Sequence, residues 1–192
     1  MEDDVRVVML DEAGRAIGHA SKVSVHGPGT AFHLAFSCHV RDAEGRVLIT
    51  RRALTAQGWP GVWSNAFCGH PRSAEAMLDA VRRHADSELG LDLHDVQLVL
   101  PVLRYRAIDA RDLTANEVCP VYLATASDQP NPRPDEVMEH AWVDPIALGR
   151  TIRRAPWRFS PWLGLQAERL PLFGGGPSHR EVEGPVGVEV AR

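Results

Sequence analysis

Cysteine is scarce in this chain: 3 of 192 residues, with no CxxC pair. An odd and small number argues against a disulfide framework and against a four-cysteine zinc site, so any reactive cysteine is a lone reduced thiol. Long apolar runs are missing too. Stretches such as 5–10 and 98–103 fall far short of the roughly 20 residues a bilayer span needs. Charge of one sign is not in large excess: the net charge is −4 and the isoelectric point about 6.1. No general pull on nucleic acid or on an anionic membrane is expected, and an anionic ligand would need a local pocket. The segment Met1-Glu2-Asp3-Asp4 has neither a basic nor an apolar stretch, which makes a secretory leader unexpected and the cytoplasm the expected location.

What is present suits one globular unit. Hydrophobic residues make up 44% of a 21.1 kDa chain, enough for a core without cross-links. Residues 5–10 read as a strand closed by the turn Asp11-Glu12-Ala13-Gly14. Residues 32–40 read as one mostly buried strand, and 46–50 as its hairpin partner across Asp42-Ala43-Glu44-Gly45. Residues 51–73 are rich in Gly, Pro and Trp without period, which points to a functional loop. Met77, Leu78, Val81, Ala85 and Leu89 share a helical stripe over 74–89, with Ser73 as N-cap and Gly90 as the stop. Strands are expected at 96–103, 117–124 and 142–143, and helices at 145–153 and 161–170. Residues 174–192 read as a flexible C-terminal tail to a domain over 1–173. The order predicts an α+β fold with a sandwich of layers.

Within 68–91, Gly69, Glu75, Arg83 and Glu88-Leu89-Gly90-Leu91 resemble a Nudix box, the loop–helix–loop that binds a metal diphosphate. His84 and Ser87 stand where hydrolases carry Glu, which argues against ordinary diphosphate hydrolysis. The neighbouring segments are His33-Leu34-Ala35-Phe36-Ser37, Thr50-Arg51-Arg52-Ala53-Leu54, Trp59-Pro60-Gly61-Val62-Trp63, Cys68-Gly69-His70-Pro71, Arg104-Tyr105-Arg106-Ala107, Asn116-Glu117-Val118-Cys119-Pro120 and Phe159-Ser160-Pro161-Trp162. In this order they make the chain resemble the type 1 isopentenyl-diphosphate Δ-isomerases of the Nudix superfamily, over roughly residues 5–170.

That resemblance implies a Nudix-like α/β/α sandwich with a mixed sheet, acting on a small prenyl diphosphate as a monomer or homodimer. The implied reaction interconverts isopentenyl and dimethylallyl diphosphate, protonating an unactivated alkene and removing a proton elsewhere. It needs an acid and a base on opposite faces of a dry pocket. Cys68 and Glu117 match the acid–base pair, Tyr105 its support, and Trp162 the indole facing the carbocation. Lys22 and Arg52 match contacts to the diphosphate. His26, His33, His70 and Glu117 match ligands of a divalent metal (Zn²⁺, Mn²⁺ or Mg²⁺), and Glu88 matches the carboxylate that holds Mg²⁺ on the substrate. Cys38 and Cys119 are assigned to packing, as are Trp59, Trp63 and Trp157.

Three positions depart from the pattern. Ala115 stands where a second metal-binding Glu belongs, and Asp112 is the nearby candidate to replace it. A cation expected in the loop after Arg52 is missing, where Ala56-Gln57-Gly58 is found, and His84 replaces another. A longer prenyl chain would recover lost phosphate contacts by burying carbon, at about 0.8 kcal/mol per CH₂. The alternative is therefore the same pair acting as a protonation-initiated cyclase or isomerase of a longer diphosphate. A non-catalytic binding protein predicts loss of the pair, and a hydrolase predicts the full Glu set. Neither pattern is present.

Overall fold

The run 36–41 is apolar on alternate residues and semi-polar on the others, yet almost every side chain in it is buried. Such a strand must be covered on both faces. The structure, a computed structural model, describes residues 6–21 and 30–175 and shows how this is done. Among the described residues the strands are β1 (Arg6–Leu10), β2 (Ala16–Ser21), β3 (His33–Leu34), β4 (Phe36–Arg41), β5 (Val47–Arg52), β6 (Trp63–Ser64), β7 (Phe67–Gly69), β8 (His94–Leu100), β9 (Arg104–Ile108), β10 (Thr114–Val118), β11 (Val121–Thr125) and β12 (Val137–Val143). The helices are α1 (Met77–Leu89), α2 (Pro145–Arg154) and α3 (Pro161–Arg169), with short 3-10 turns at Pro156–Arg158 and Pro171–Phe173.

Two sheets form. One has the order β2-β1-β3-β10-β9. The other has the order β12-β5-β4-β11-β8, with β6 beside β5 and β7 beside β4. On one side of the second sheet Phe36, Cys38, Val40 and Leu48 pack with Ala80, Val81, Ala85 and Leu89 of α1. On the other, Val47, Ile49 and Val121 pack with Leu148 and Ile152 of α2 and Trp162 and Leu163 of α3. The architecture is the α+β sandwich expected.

Two expected strands prove to be interrupted. Residues 32–40 divide into β3 and β4, and 117–124 into β10 and β11, so that each run serves both sheets. The runs lie side by side in parallel, Glu117 beside His33 and Val121 beside Ser37. Pro120, which has no N–H to give a ladder, marks the break in one of them. The irregular segment 51–73 also contains β6 and β7. Ser73 is not the cap of α1: the helix begins after Ala76 with no side-chain cap, because the chain first turns at 73–74. Gly90 does end it, with φ 62. Trp157 is not core but 76% exposed, since it sits on a 3-10 turn beyond α2. Of the expected tail, 176–192 lies outside the described residues.

Candidate active site

The junction of the two sheets gathers the site. In β10, Ala115 and Glu117 point to the same face, two residues apart. The antiparallel neighbour β9 sets Tyr105 opposite Glu117 and Ala107 opposite Ala115. The Tyr105 hydroxyl therefore reaches Glu117 Oε2 and donates to it at 2.6 Å. The other oxygen, Oε1, lies 3.5 Å from His33 Nε2 and 3.8 Å from His70 Nε2. His33 is placed by its register with Glu117 in the parallel pair β3–β10, and its Nδ1 bonds the Ala31 carbonyl at 2.9 Å. His33, His70 and Glu117 each offer one ligand atom, all within 4.8 Å of one another. Two imidazoles and a carboxylate converging at that range could hold a divalent metal ion. Burial pushes the Glu117 carboxyl up, but hydrogen bonding and charge from His33 and His70 outweigh this and hold it well below the usual carboxylate range.

Cys68 enters from β7, which pairs with β4 so that Cys68 lies beside Ser37. Its thiol donates to Asn65 Oδ1 at 3.3 Å and meets the Ser37 hydroxyl at 3.2 Å. Ser37 in turn touches Cys119 Sγ at 3.3 Å. Cys119, between β10 and β11, is buried in the core as expected. Burial raises the Cys68 thiol to about 11, with the Ser37 hydroxyl and the Arg52 charge pulling the other way.

Cys68, Glu117, Tyr105, Trp162, His70, Arg52, Glu88 and Ala115 all line one cavity of about 810 Å³. Trp162, at the start of α3, is buried, and its ring lies 5.1 Å from Trp59 edge-on and 6.1 Å from Tyr105. Trp59 lines the cavity too, although residue type and context alone gave it to packing. Glu88 is held by its i+4 partner, His84 Nδ1 to Oε1 at 2.5 Å. The His84 ring sits so close to Gly69 that a Cβ there would meet it at 2.6 Å, which is why the loop carries glycine at 69. Arg83 is drawn away into a paired bond with Glu75, 2.7 Å on both oxygens, and with the His70 carbonyl.

The loop over 53–61 is clamped from an unexpected side. Arg111 donates to the Ala56 and Gln57 carbonyls, and Asp109 accepts from the Trp59 N–H at 3.3 Å. Arg52 Nε donates to the Gly58 carbonyl at 2.7 Å, which aims its guanidinium along the cavity wall. Asp112 does not replace the missing carboxylate. It lies in the 109–113 turn with φ 61, and among the described residues the potential ligand group is His33, His70 and Glu117. Lys22 and His26 lie outside the described residues.

A NUDIX domain model matches residues 31–163. Among curated relatives, an isopentenyl-diphosphate Delta-isomerase from Agromyces mediolanus is 60% identical over 88% of this chain and 82% of its own length. This chain belongs to the isopentenyl-diphosphate Delta-isomerase family. A Clavibacter sepedonicus isomerase of the same name is 57% identical over 87% of this chain and 86% of its own. Among solved structures, a Deinococcus radiodurans protein superposes with TM-score 0.68 at 18% identity, covering 85% of this chain and 98% of that one. That likeness bears on the fold alone. No described helix is long and apolar enough to cross a membrane.

Proposed function

We propose that this protein interconverts isopentenyl and dimethylallyl diphosphate, with Cys68 and Glu117 as the proton-transfer pair. The observation that carries the reading is that a protonated thiol and an ionised carboxylate, from different sheets, line one cavity beside a buried indole. An alkene isomerised by proton transfer must gain a proton at its terminal carbon and lose one from the carbon two positions along. Between those events the middle carbon is a tertiary cation. One member of the pair donates and the other accepts, which leaves the donor a proton short and the acceptor a proton over; the acceptor's proton passes back to the donor, by exchange with solvent, before the next turnover. Tyr105, bonded to Glu117, keeps that carboxylate in place and links it to a second proton. Trp162 faces the cation, where cation–π attraction in a water-excluded site contributes about 2 kcal/mol or more.

The diphosphate is held at the polar mouth of the cavity by Arg52, with Lys22 as a further cation. Glu88, oriented by His84, would hold Mg²⁺ on the diphosphate. His33, His70 and Glu117, together with His26, would hold the second divalent ion, which would fix the carboxylate in place and favour its ionised form. The protein works on a small molecule, in the cytoplasm, as a monomer or homodimer, with residues 1–173 as the working domain.

The test is to incubate the purified protein with Mg²⁺ and isopentenyl diphosphate in D₂O, and to follow products by NMR and mass spectrometry. Deuterated dimethylallyl diphosphate is expected, with label exchanged back into the substrate as equilibrium is approached. Absence of both product and exchange would refute the reading.

A further inference from the structure

Behind the cavity wall, one buried carboxamide joins two of the groups that line it, Cys68 and Trp162. Asn65 is fully buried, and its Nδ2 donates to two backbone carbonyls, Cys38 at 3.0 Å and Phe67 at 2.6 Å. Those acceptors fix which end of the amide is nitrogen. The oxygen must then face the other way, and it receives the Cys68 thiol at 3.3 Å and the Trp162 indole N–H at 2.9 Å, the same N–H also reaching Ser64 Oγ at 3.0 Å. Ser64 Oγ is also 3.0 Å from that oxygen, but it has Ser160 Oγ at the same distance to bond instead. An amide oxygen has two lone pairs, so the thiol and the indole share it, the indole dividing its N–H between this oxygen and Ser64 Oγ. Ser37 Oγ lies between Cys119 Sγ at 3.3 Å and Cys68 Sγ at 3.2 Å, where either atom of each pair can donate, and the thiol of Cys68 ends on Asn65.

We infer that Asn65 is a positioning residue for the proposed isomerisation, its single oxygen holding the Cys68 thiol and the Trp162 indole in a set relation to each other. The inference rests on the isomerase reading. In that reaction the proton moves at one carbon while positive charge sits on its neighbour, so the proton-transfer group and the ring must be registered to a fraction of an ångström. Asn65 acts through those two side chains from the buried layer beneath them. A hydrogen bond from the thiol to an oxygen also holds its S–H in a defined direction, which packing alone does not do.

The experiment compares full-length wild type with Asn65→Ala and Cys68→Ala, using ¹⁵N-indole-labelled tryptophan, with the Trp162 signal assigned by its loss in Trp162→Phe. Two donors on one acceptor weaken each other. Removing the thiol is therefore expected to move the Trp162 indole proton downfield, and removing the carboxamide to move it upfield. A general loosening of the loop would move both the same way, and that result, or no movement, overturns the inference. In turnover of isopentenyl diphosphate, Asn65→Ala is expected to lower kcat at least about tenfold with KM changed less than about threefold. An unaltered kcat also overturns it. If Asn65→Ala does not fold, the Cys68→Ala spectrum decides alone, a downfield shift supporting the inference and an unmoved signal sinking it. Should wild type leave isopentenyl diphosphate untouched, the isomerase reading fails, while the spectra still report whether the two groups share one acceptor.

Discussion

Cys68 and Glu117 meet the cavity with opposite protonation at neutral pH, and the causes differ. The thiol is kept protonated mainly by burial, whereas the carboxyl overcomes its own burial through His33 and His70. Cys68→Ala and Glu117→Gln are each expected to lower turnover by about 10²–10⁴-fold, the usual worth of a positioned proton-transfer group. Thermal melting and turnover measured on the same preparations check this, and near-wild-type turnover in either variant refutes the assignment. Ala115 faces the same cavity as Glu117, two residues away on β10 and opposite another alanine. Ala115→Glu therefore adds a carboxylate next to the ligand group, and calorimetric titration with Mn²⁺ is expected to show about tenfold tighter binding or more, equivalent to about 1.4 kcal/mol. No gain would mean the coordination is already complete. Most of these residues were legible because their types occur in recognisable motifs. Asn65 and Trp59 were not, because their roles consist of what they touch: a thiol three residues away in one case, and an indole about a hundred residues away in the other.

At the scale of elements, the helix periods over 74–89, 145–153 and 161–170 were read to within a few residues, because each carries a buried stripe with a proline or glycine at its border. The long strands were read as continuous because their hydrophobicity is continuous; the change of sheet at 35 and at 119–120 depends on partners distant in sequence. The contact between α2 and the 171–173 turn was invisible for the same reason. There Gly149 lies so close that a Cβ would meet the Phe173 carbonyl oxygen at 2.2 Å. That oxygen is backbone and cannot rotate aside, so Gly149→Ala is expected to destabilise the fold by about 1–3 kcal/mol. Urea unfolding measures it. A variant as stable as wild type would mean the turn yields freely and does not seal the core under Phe173.

For the molecule as a whole, a histidine outside the site adds to acid sensitivity. His39 is fully buried between the sheet and α3, bonded to Gln166 Oε1 at 2.9 Å and packed edge-on against Phe173. Burial lowers it from its ordinary 6.5 to about 4, the bond to Gln166 pulling weakly the other way. Between those values the unfolded chain binds a proton that the folded one refuses. The stability is thus fully present above pH 6.5 and is lost as pH falls toward 4, by roughly 3 kcal/mol over the interval. Urea unfolding across that range is expected to show the decline in wild type and a flatter profile in His39→Gln. An equal slope in both would assign the acid sensitivity to other groups.

By itself the sequence determined the chemistry available: a lone thiol in an irregular loop, a carboxylate and imidazoles in recognisable settings, a helix with His84 and Ser87 where hydrolases carry Glu, and enough apolar residues for one core. Motif and period survive in a linear string, so these could be read from it. Only the tertiary structure decided that the two runs holding His33 and Glu117 lie parallel, that Cys68 crosses beside Ser37, and that His84 takes up Glu88 while Arg111 and Asp109 clamp the loop over 53–61. Hydrogen bonds and close contacts join residues by distance in space, and neither spacing nor composition encodes that distance until the sheets have formed.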